Sequence, residues 1–200
     1  MSYSTGFESR QQGLDYEKQF AKESGLPHVG GAGGPIDAGL ISVKNASGQS
    51  TQVHLTTFEA LIRKLNPPAE VTDFLRRWSG DKNESSGRRR LSKFSKQELE
   101  DAVRWLNSVK KPLVNRFFEH IGSKAEIVHW REKKTGKVHE RSTEDILADM
   151  NLSTWELGAG YGSFALVHPT RDRLAHFQRK GSGKDQKNSA LFHLYLNAIK

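Results

Sequence analysis

Gly33–Asn45 reads GGPIDAGLISVKN. Glycines and Pro35 break structure in front of it, and the turn-forming stretch NASGQS (Asn45–Ser50) follows it. The apolar run from Ile36 to Lys44 between these breakers predicts a buried strand. Inside that run stand a carboxylate, Asp37, and an ammonium, Lys44. Carboxylates hold a divalent ion at a scissile phosphodiester, and a nearby lysine steadies the charge that develops there. The two positions differ by an odd number, so on one regular strand they face opposite sides. A bend at Gly39 would bring them together. Without it, Asp37 caps a turn and Lys44 is a solvated strand end.

Upstream, Gln12 to Glu23 predicts a helix with Leu14, Phe20 and Ala21 on its apolar side. Downstream, TQVHLTT resumes extended structure, FEALIRKL and EVTDFLRRW have helical spacing, and Gly80 to Lys93 is a polar loop carrying Arg88 to Arg90. Ser95 to Glu98 has the form of a capping box, and Leu99, Ala102, Val103 and Leu106 follow at helical spacing. A second helix is predicted from Pro112 to His120, stopping at Gly122. EIVHW and KVHER flank Lys134-Thr135-Gly136 as a hairpin, and Thr143 to Met150 reads as a short helix with acids in its first turn. GSFALVH, RLAHFQRK and SALFHLYL alternate as three closing strands. Strands at both ends around a helical middle predict one α/β domain over residues 1–200, a central mixed sheet flanked by helices.

Lys plus Arg number 31 against 23 Asp plus Glu, for a net charge of +8. That sign suits a polyanion, either nucleic acid or an anionic membrane surface. No apolar run is long enough to span a bilayer, and the first residues lack the pattern of a secretory signal. Cysteine is absent, which excludes disulfides, thiol chemistry and thiolate zinc sites. A cytoplasmic location is the expectation. The glycine run from Gly30 to Gly34 lacks the strand before and the Gly-Lys-Ser/Thr after that a phosphate loop needs. LGAGYGS, with Gly158, Gly160 and Gly162, reads as a flexible connection. His54, His129 and His176 lie in strand-like segments and read as sheet-face residues. Trp78, Trp105, Trp130 and Trp155 read mainly as core.

The tail concentrates Arg173, His176, Arg179, Lys180, Lys184 and Lys187 around a glycine turn, interleaved with Gln178, Gln186 and Asn188. Lysines against phosphates give sequence-independent affinity, whereas Arg, Gln and Asn can bond base edges. A solvated hairpin is the other reading of the same residues.

The string FQRKGSGKDQKNSALFHLYLN (Phe177–Asn197) resembles the closing segment of the MspI-like restriction endonucleases, whose run is Gln-Arg-Lys-Gly-Gly. Here Ser182 replaces the second glycine. FLRRWSGD (Phe74–Asp81), the segment from Phe94 to Phe118, and GLDYEKQFAKE (Gly13–Glu23) resemble further segments of that family in the same order, with Glu17 at a recurrent glutamate. The resemblance implies a PD-(D/E)xK-type nuclease core, Mg²⁺ dependence and hydrolysis of double-stranded DNA at a short palindrome of tetranucleotide length. It makes the chain a type II restriction endonuclease, with a cognate DNA methyltransferase acting on the same site without being bound. Ser42-Val43-Lys44 stands where the family has Gln-x-Lys or Asn-x-Lys, so Lys44 is the implied catalytic lysine, with Ser42 beside it. Asp37 and Glu17 are the implied metal-binding and catalytic carboxylates. Gln52, Gln178, Arg179, Lys180, Lys184, Lys187 and Asn188 are the implied DNA-binding residues. In the family the aspartate precedes the lysine by well over ten residues, and Asp37 precedes Lys44 by only a few. That spacing keeps a second expectation open: a DNA-binding protein without cleavage, or one subunit of a two-component nuclease.

Overall fold

The computed structural model describes residues 4–29, 36–46, 50–80, 91–120, 123–179 and 189–200. Its first helix, α1 (Ser4–Glu23), starts a full two turns before the expected Gln12. It ends where Gly25 adopts φ +67° and the Leu26 N–H reaches back to the Ala21 carbonyl at 3.0 Å. A left-handed residue just past a helix satisfies carbonyls that would otherwise lack donors.

The predicted strand from Ile36 to Lys44 is not one strand. Gly39 takes φ +56°, and the Ile41 N–H closes a turn on the Ala38 carbonyl at 2.8 Å. Only β1 (Ile41–Ala46) continues as strand. The apolar run misled because both arms of the turn are buried, so hydrophobicity carries straight through it.

After β2 (Ser50–Thr57) come α2 (Phe58–Leu65), capped by the Thr57 hydroxyl, and α3 (Ala69–Gly80). Residues 81–90, the heart of the expected loop with its three arginines, lie outside the described residues. The capping box forms as read: Ser95 accepts from the Glu98 N–H at the start of α4 (Lys96–Ser108), and Glu98 accepts from the Ser95 N–H. The helix expected from Pro112 to His120 is shorter. α5 (Lys110–Asn115) gives way to a 3₁₀ turn at Arg116–Phe118 and then to the two-residue strand β3 (Glu119–His120). Phe117 and Phe118 are both fully buried, in the 3₁₀ turn that ends α5. β3 pairs with β4 (Ser123–Lys124).

β5 (Ile127–Glu132) and β6 (Val138–Ser142) form the predicted hairpin, with Gly136 at φ +70°. α6 (Thr143–Leu152) follows, then β7 (Thr154–Leu157), a strand too short for its pattern to register. LGAGYGS is the hairpin loop joining β7 to β8 (Phe164–Val167). β9 (Arg173–Arg179) and β10 (Ser189–Tyr195) complete the strands among the described residues.

The described strands fall into a mixed three-stranded sheet, β1-β5-β6, an antiparallel five-stranded sheet, β2-β10-β9-β8-β7, and the small β3-β4 pair. β1 and β5 run parallel, a pairing that requires the long crossover the helices provide. The main core is aromatic: Trp78 touches Phe58, Phe164 and Phe177 at ring separations of 5.2 to 5.5 Å, and Phe177 stacks on Phe192 at 4.7 Å. All four tryptophans are buried, where the sequence reading expected most of them to be core. A smaller cluster, Tyr16, Ala21, Ala38 and Val43, packs α1 onto β1. This is a mixed α/β fold with helices flanking a mixed sheet. No helix among the described residues is long and apolar enough to cross a membrane.

Candidate active site

The turn at Gly39 does what one regular strand could not. Asp37 is folded back beside β1, its own N–H bonded to the Ile41 carbonyl at 2.9 Å. Its Oδ2 then accepts from the Val43 N–H at 2.7 Å and from Lys44 Nζ at 2.8 Å. β1 is an edge strand of its sheet, and Asp37 occupies the edge away from β5. Asp37 is only 3% exposed, and the Lys44 side chain 11%. Both bonds that the Asp37 carboxylate receives from described residues fall on Oδ2, so Oδ1 takes none from them.

Glu17 joins them from α1. Its carboxyl is pushed up to about 7, first by burial and then by the Asp37 carboxylate, with the Lys44 ammonium pulling partly the other way. A helical acid is ordinarily solvated, yet Glu17 is half-buried and senses both groups. The sequence-predicted trio of Glu17, Asp37 and Lys44 is therefore assembled at one place. Ser42 lies two residues before Lys44, hence on the same side of β1, and is 1% exposed. Among the described residues, no group of three or more His, Cys, Asp or Glu side chains could hold a metal ion by itself.

The expected DNA contacts are elsewhere. Gln52 is exposed on β2, opposite His193 of β10. Gln178 is half-buried on β9. Arg179 is inside the protein at 8% exposure, its Nε donating to the Ser79 carbonyl at 2.9 Å, and burial lowers its pKa. It ties β9 to the end of α3. Lys180, Lys184, Lys187 and Asn188 lie outside the described residues.

Beneath α1 the structure adds three residues, of which the sequence reading named only His129, as a sheet-face residue. The Tyr16 hydroxyl is 2.9 Å from His129 Nε2, and His129 Nδ1 is 2.8 Å from Glu140 Oε1. Alternation placed His129 correctly on a sheet face, but its partner Tyr16 is 113 positions away in sequence, and no local pattern could pair them. Two further charge clusters are structural. Asp149 receives Arg141 and Arg171, joining α6 to β6 and to the turn before β9. Glu132, held down to about 2 chiefly by Lys200, ties the last residue to β5.

Taken as a whole, the architecture is restriction-endonuclease-like. Among solved structures, the fold is similar to restriction endonuclease MspI in complex with its cognate DNA, with a TM-score of 0.50 and 10% sequence identity. The likeness covers 76% of this chain and 56% of that one, so the chain spans just over half of the MspI chain's length. No protein-family model matches the sequence, and no curated protein does.

Proposed function

We propose that the chain is a Mg²⁺-dependent, site-specific deoxyribonuclease of the type II restriction kind, related to the MspI-like enzymes and cutting duplex DNA at a tetranucleotide. The observation that carries this reading is the Asp37–Lys44 pair at the edge of β1, with the Glu17 carboxyl close enough to sense both charges. Their donor chemistry fits the ion. Mg²⁺ favours hard oxygen ligands, keeps several waters, and is held by one or two carboxylates together with substrate phosphate oxygens. Asp37 Oδ1 and the Glu17 carboxylate are such oxygens. When bound, the ion supplies polarisation of the phosphodiester and acidification of the attacking water.

The chain's own groups do the rest. The Val43 N–H fixes the rotation of the Asp37 carboxylate. Lys44 holds its ammonium where negative charge develops on the phosphate, in a site sheltered enough for that charge to count. Glu17, its carboxyl raised to about 7 in the metal-free site, must lose that proton to hold the ion. Gln52, Gln178 and the lysine-rich segment through Asn188 grip the duplex, and the net charge of +8 makes that grip salt-dependent. Arg179 has an internal role instead, tying β9 to the end of α3. A cognate methyltransferase would protect the same sequence in the host DNA without binding this chain.

A second reading, a DNA-binding protein without cleavage or one subunit of a two-component nuclease, is favoured by Ser42. A buried hydroxyl there supplies a poorer metal ligand than a carboxamide. One experiment separates the two. The purified protein is incubated with unmethylated plasmid in Mg²⁺, Mn²⁺ or EDTA and run on a gel, beside an Asp37→Ala variant. Discrete metal-dependent bands, lost in the variant, support the nuclease. Intact DNA with a salt-sensitive mobility shift supports the second reading, and neither cutting nor shift removes both.

A further inference from the structure

Consecutive helical residues point about 100° apart, so whatever fixes Tyr16 also fixes Glu17. Tyr16 is buried under α1, against Val43 and His129, which pair across β1 and β5. His129 in turn pairs with Glu140 across β5 and β6, so Val43, His129 and Glu140 form one row across the sheet. His129 is 5% exposed. A proton on Nδ1 faces the Glu140 carboxylate, which leaves the Nε2 lone pair to accept from the Tyr16 hydroxyl. Phe20, one turn later, meets the same imidazole at 4.3 Å, and the Arg131 guanidinium stands 4.2 Å over the Tyr16 ring.

Apolar packing alone tolerates small rotations of a helix about its axis. A directed hydrogen bond from a buried tyrosine to a histidine that is itself oriented does not. We propose that Tyr16, His129 and Glu140 form a positioning relay that sets the rotation of α1 and so holds the Glu17 carboxylate beside Asp37, where the two serve one divalent cation. This rests on the metal-dependent reading of the site. None of the three touches substrate; they act through Glu17.

The test uses the full chain and the variant Tyr16→Phe, which removes the hydroxyl and keeps the ring with its Phe20 and Arg131 neighbours. Mn²⁺ binding to the metal-free protein is measured by calorimetry, and duplex DNA binding by mobility shift in EDTA. The expected result is a dissociation constant for Mn²⁺ raised about three- to tenfold, the worth of one hydrogen bond, with the EDTA shift unchanged. Glu140→Gln, at an exposed position that does not threaten folding, weakens Mn²⁺ binding in the same direction. The double variant is no weaker than the worse single one, because both act through His129. Wild-type Mn²⁺ affinity in both single variants, with Glu17→Gln impaired, overturns the relay and keeps the site. Equal loss of Mn²⁺ and DNA binding overturns it in favour of a general structural role. A wild-type protein that neither binds Mn²⁺ nor cuts removes the nuclease reading and the relay with it.

Discussion

Glu17→Gln offers a test of the site that needs no substrate. The Glu17 carboxyl is raised from an ordinary 4.5 to about 7 by burial and by Asp37, so the folded protein holds that proton more tightly than the unfolded chain. Below the ordinary value the group is protonated in both states, and its environment costs nothing. As pH rises through the interval, the unfolded chain releases the proton first, the folded state binds more protons, and stability falls. Above the folded value both states are ionised and the loss is complete. At about 1.4 kcal/mol per pH unit, the ceiling is about 3.4 kcal/mol. Glu17 is half-buried, and solvent screening reduces this to about 1–2 kcal/mol. Urea unfolding of the metal-free proteins should therefore show the variant gaining about 1–2 kcal/mol over the wild type at about pH 8.5 and nothing below about pH 4.5. Mg²⁺ at the alkaline pH should then stabilise the wild type and leave the variant nearly unmoved, since ligand binding stabilises only the state that binds. An offset that does not change with pH, or a variant less stable at alkaline pH, would refute the crowding of Glu17 against Asp37.

Lys44→Met leaves the buried Asp37 carboxylate with only the Val43 N–H, which should lower stability by about 3 kcal/mol and abolish cleavage while the mobility shift survives. Full cleavage by that variant would remove Lys44 from the mechanism. Gly39→Ala strains the left-handed turn by about 1 kcal/mol, although its Cβ meets only Leu26 at an ordinary 3.5 Å. Cleavage should fall with it, because the turn carries Asp37, and urea curves with cleavage rates measure both. Arg179→Met leaves the Ser79 carbonyl without its donor and should cost about 1–2 kcal/mol in the same unfolding assay. DNA affinity of the folded variant should stay near that of the wild type, so a large selective loss would mean that Arg179 contacts DNA directly.

What the sequence made legible was local. Ser95 and Glu98 stand three apart and satisfy each other's backbone donors, so a short window contains the whole capping box. The β5-β6 hairpin announces itself through Gly136 between two alternating runs. Glu17, Asp37 and Lys44 were named from a resemblance and from residue chemistry, and the structure assembles them. The device that joins them was harder to see. Buried residues on both sides of Gly39 erase the hydrophobic contrast that marks a turn, and only the glycine itself hinted at one. The end of α5 was hidden because the apolar run continues past it through Phe117 and Phe118, both buried. The Tyr16–His129 pair, like the tie between Arg179 and Ser79, joins residues far apart in the chain and leaves no periodic trace.

The placement of the site has a consequence for how it works. Glu17 hangs on the small cluster of Tyr16, Ala21, Ala38 and Val43, whereas Ile36, next to Asp37, belongs to the larger core with α2, α3 and the five-stranded sheet. Elements with few buried apolar contacts open at lower free energy than the core. α1 is thus easier to displace than that core, and the hydrogen bond between Tyr16 and His129 counters that weakness where hydrophobic area is scarce. A cation shared by Asp37 and Glu17 would draw α1 onto β1, and by reciprocity anything that fixes α1 on β1 would tighten the cation. Ordering of the amino-terminal helix and loading of the site are then one equilibrium. A hydroxyl one residue away from Glu17, about 100° around the helix from it, would then belong to the machinery of the site.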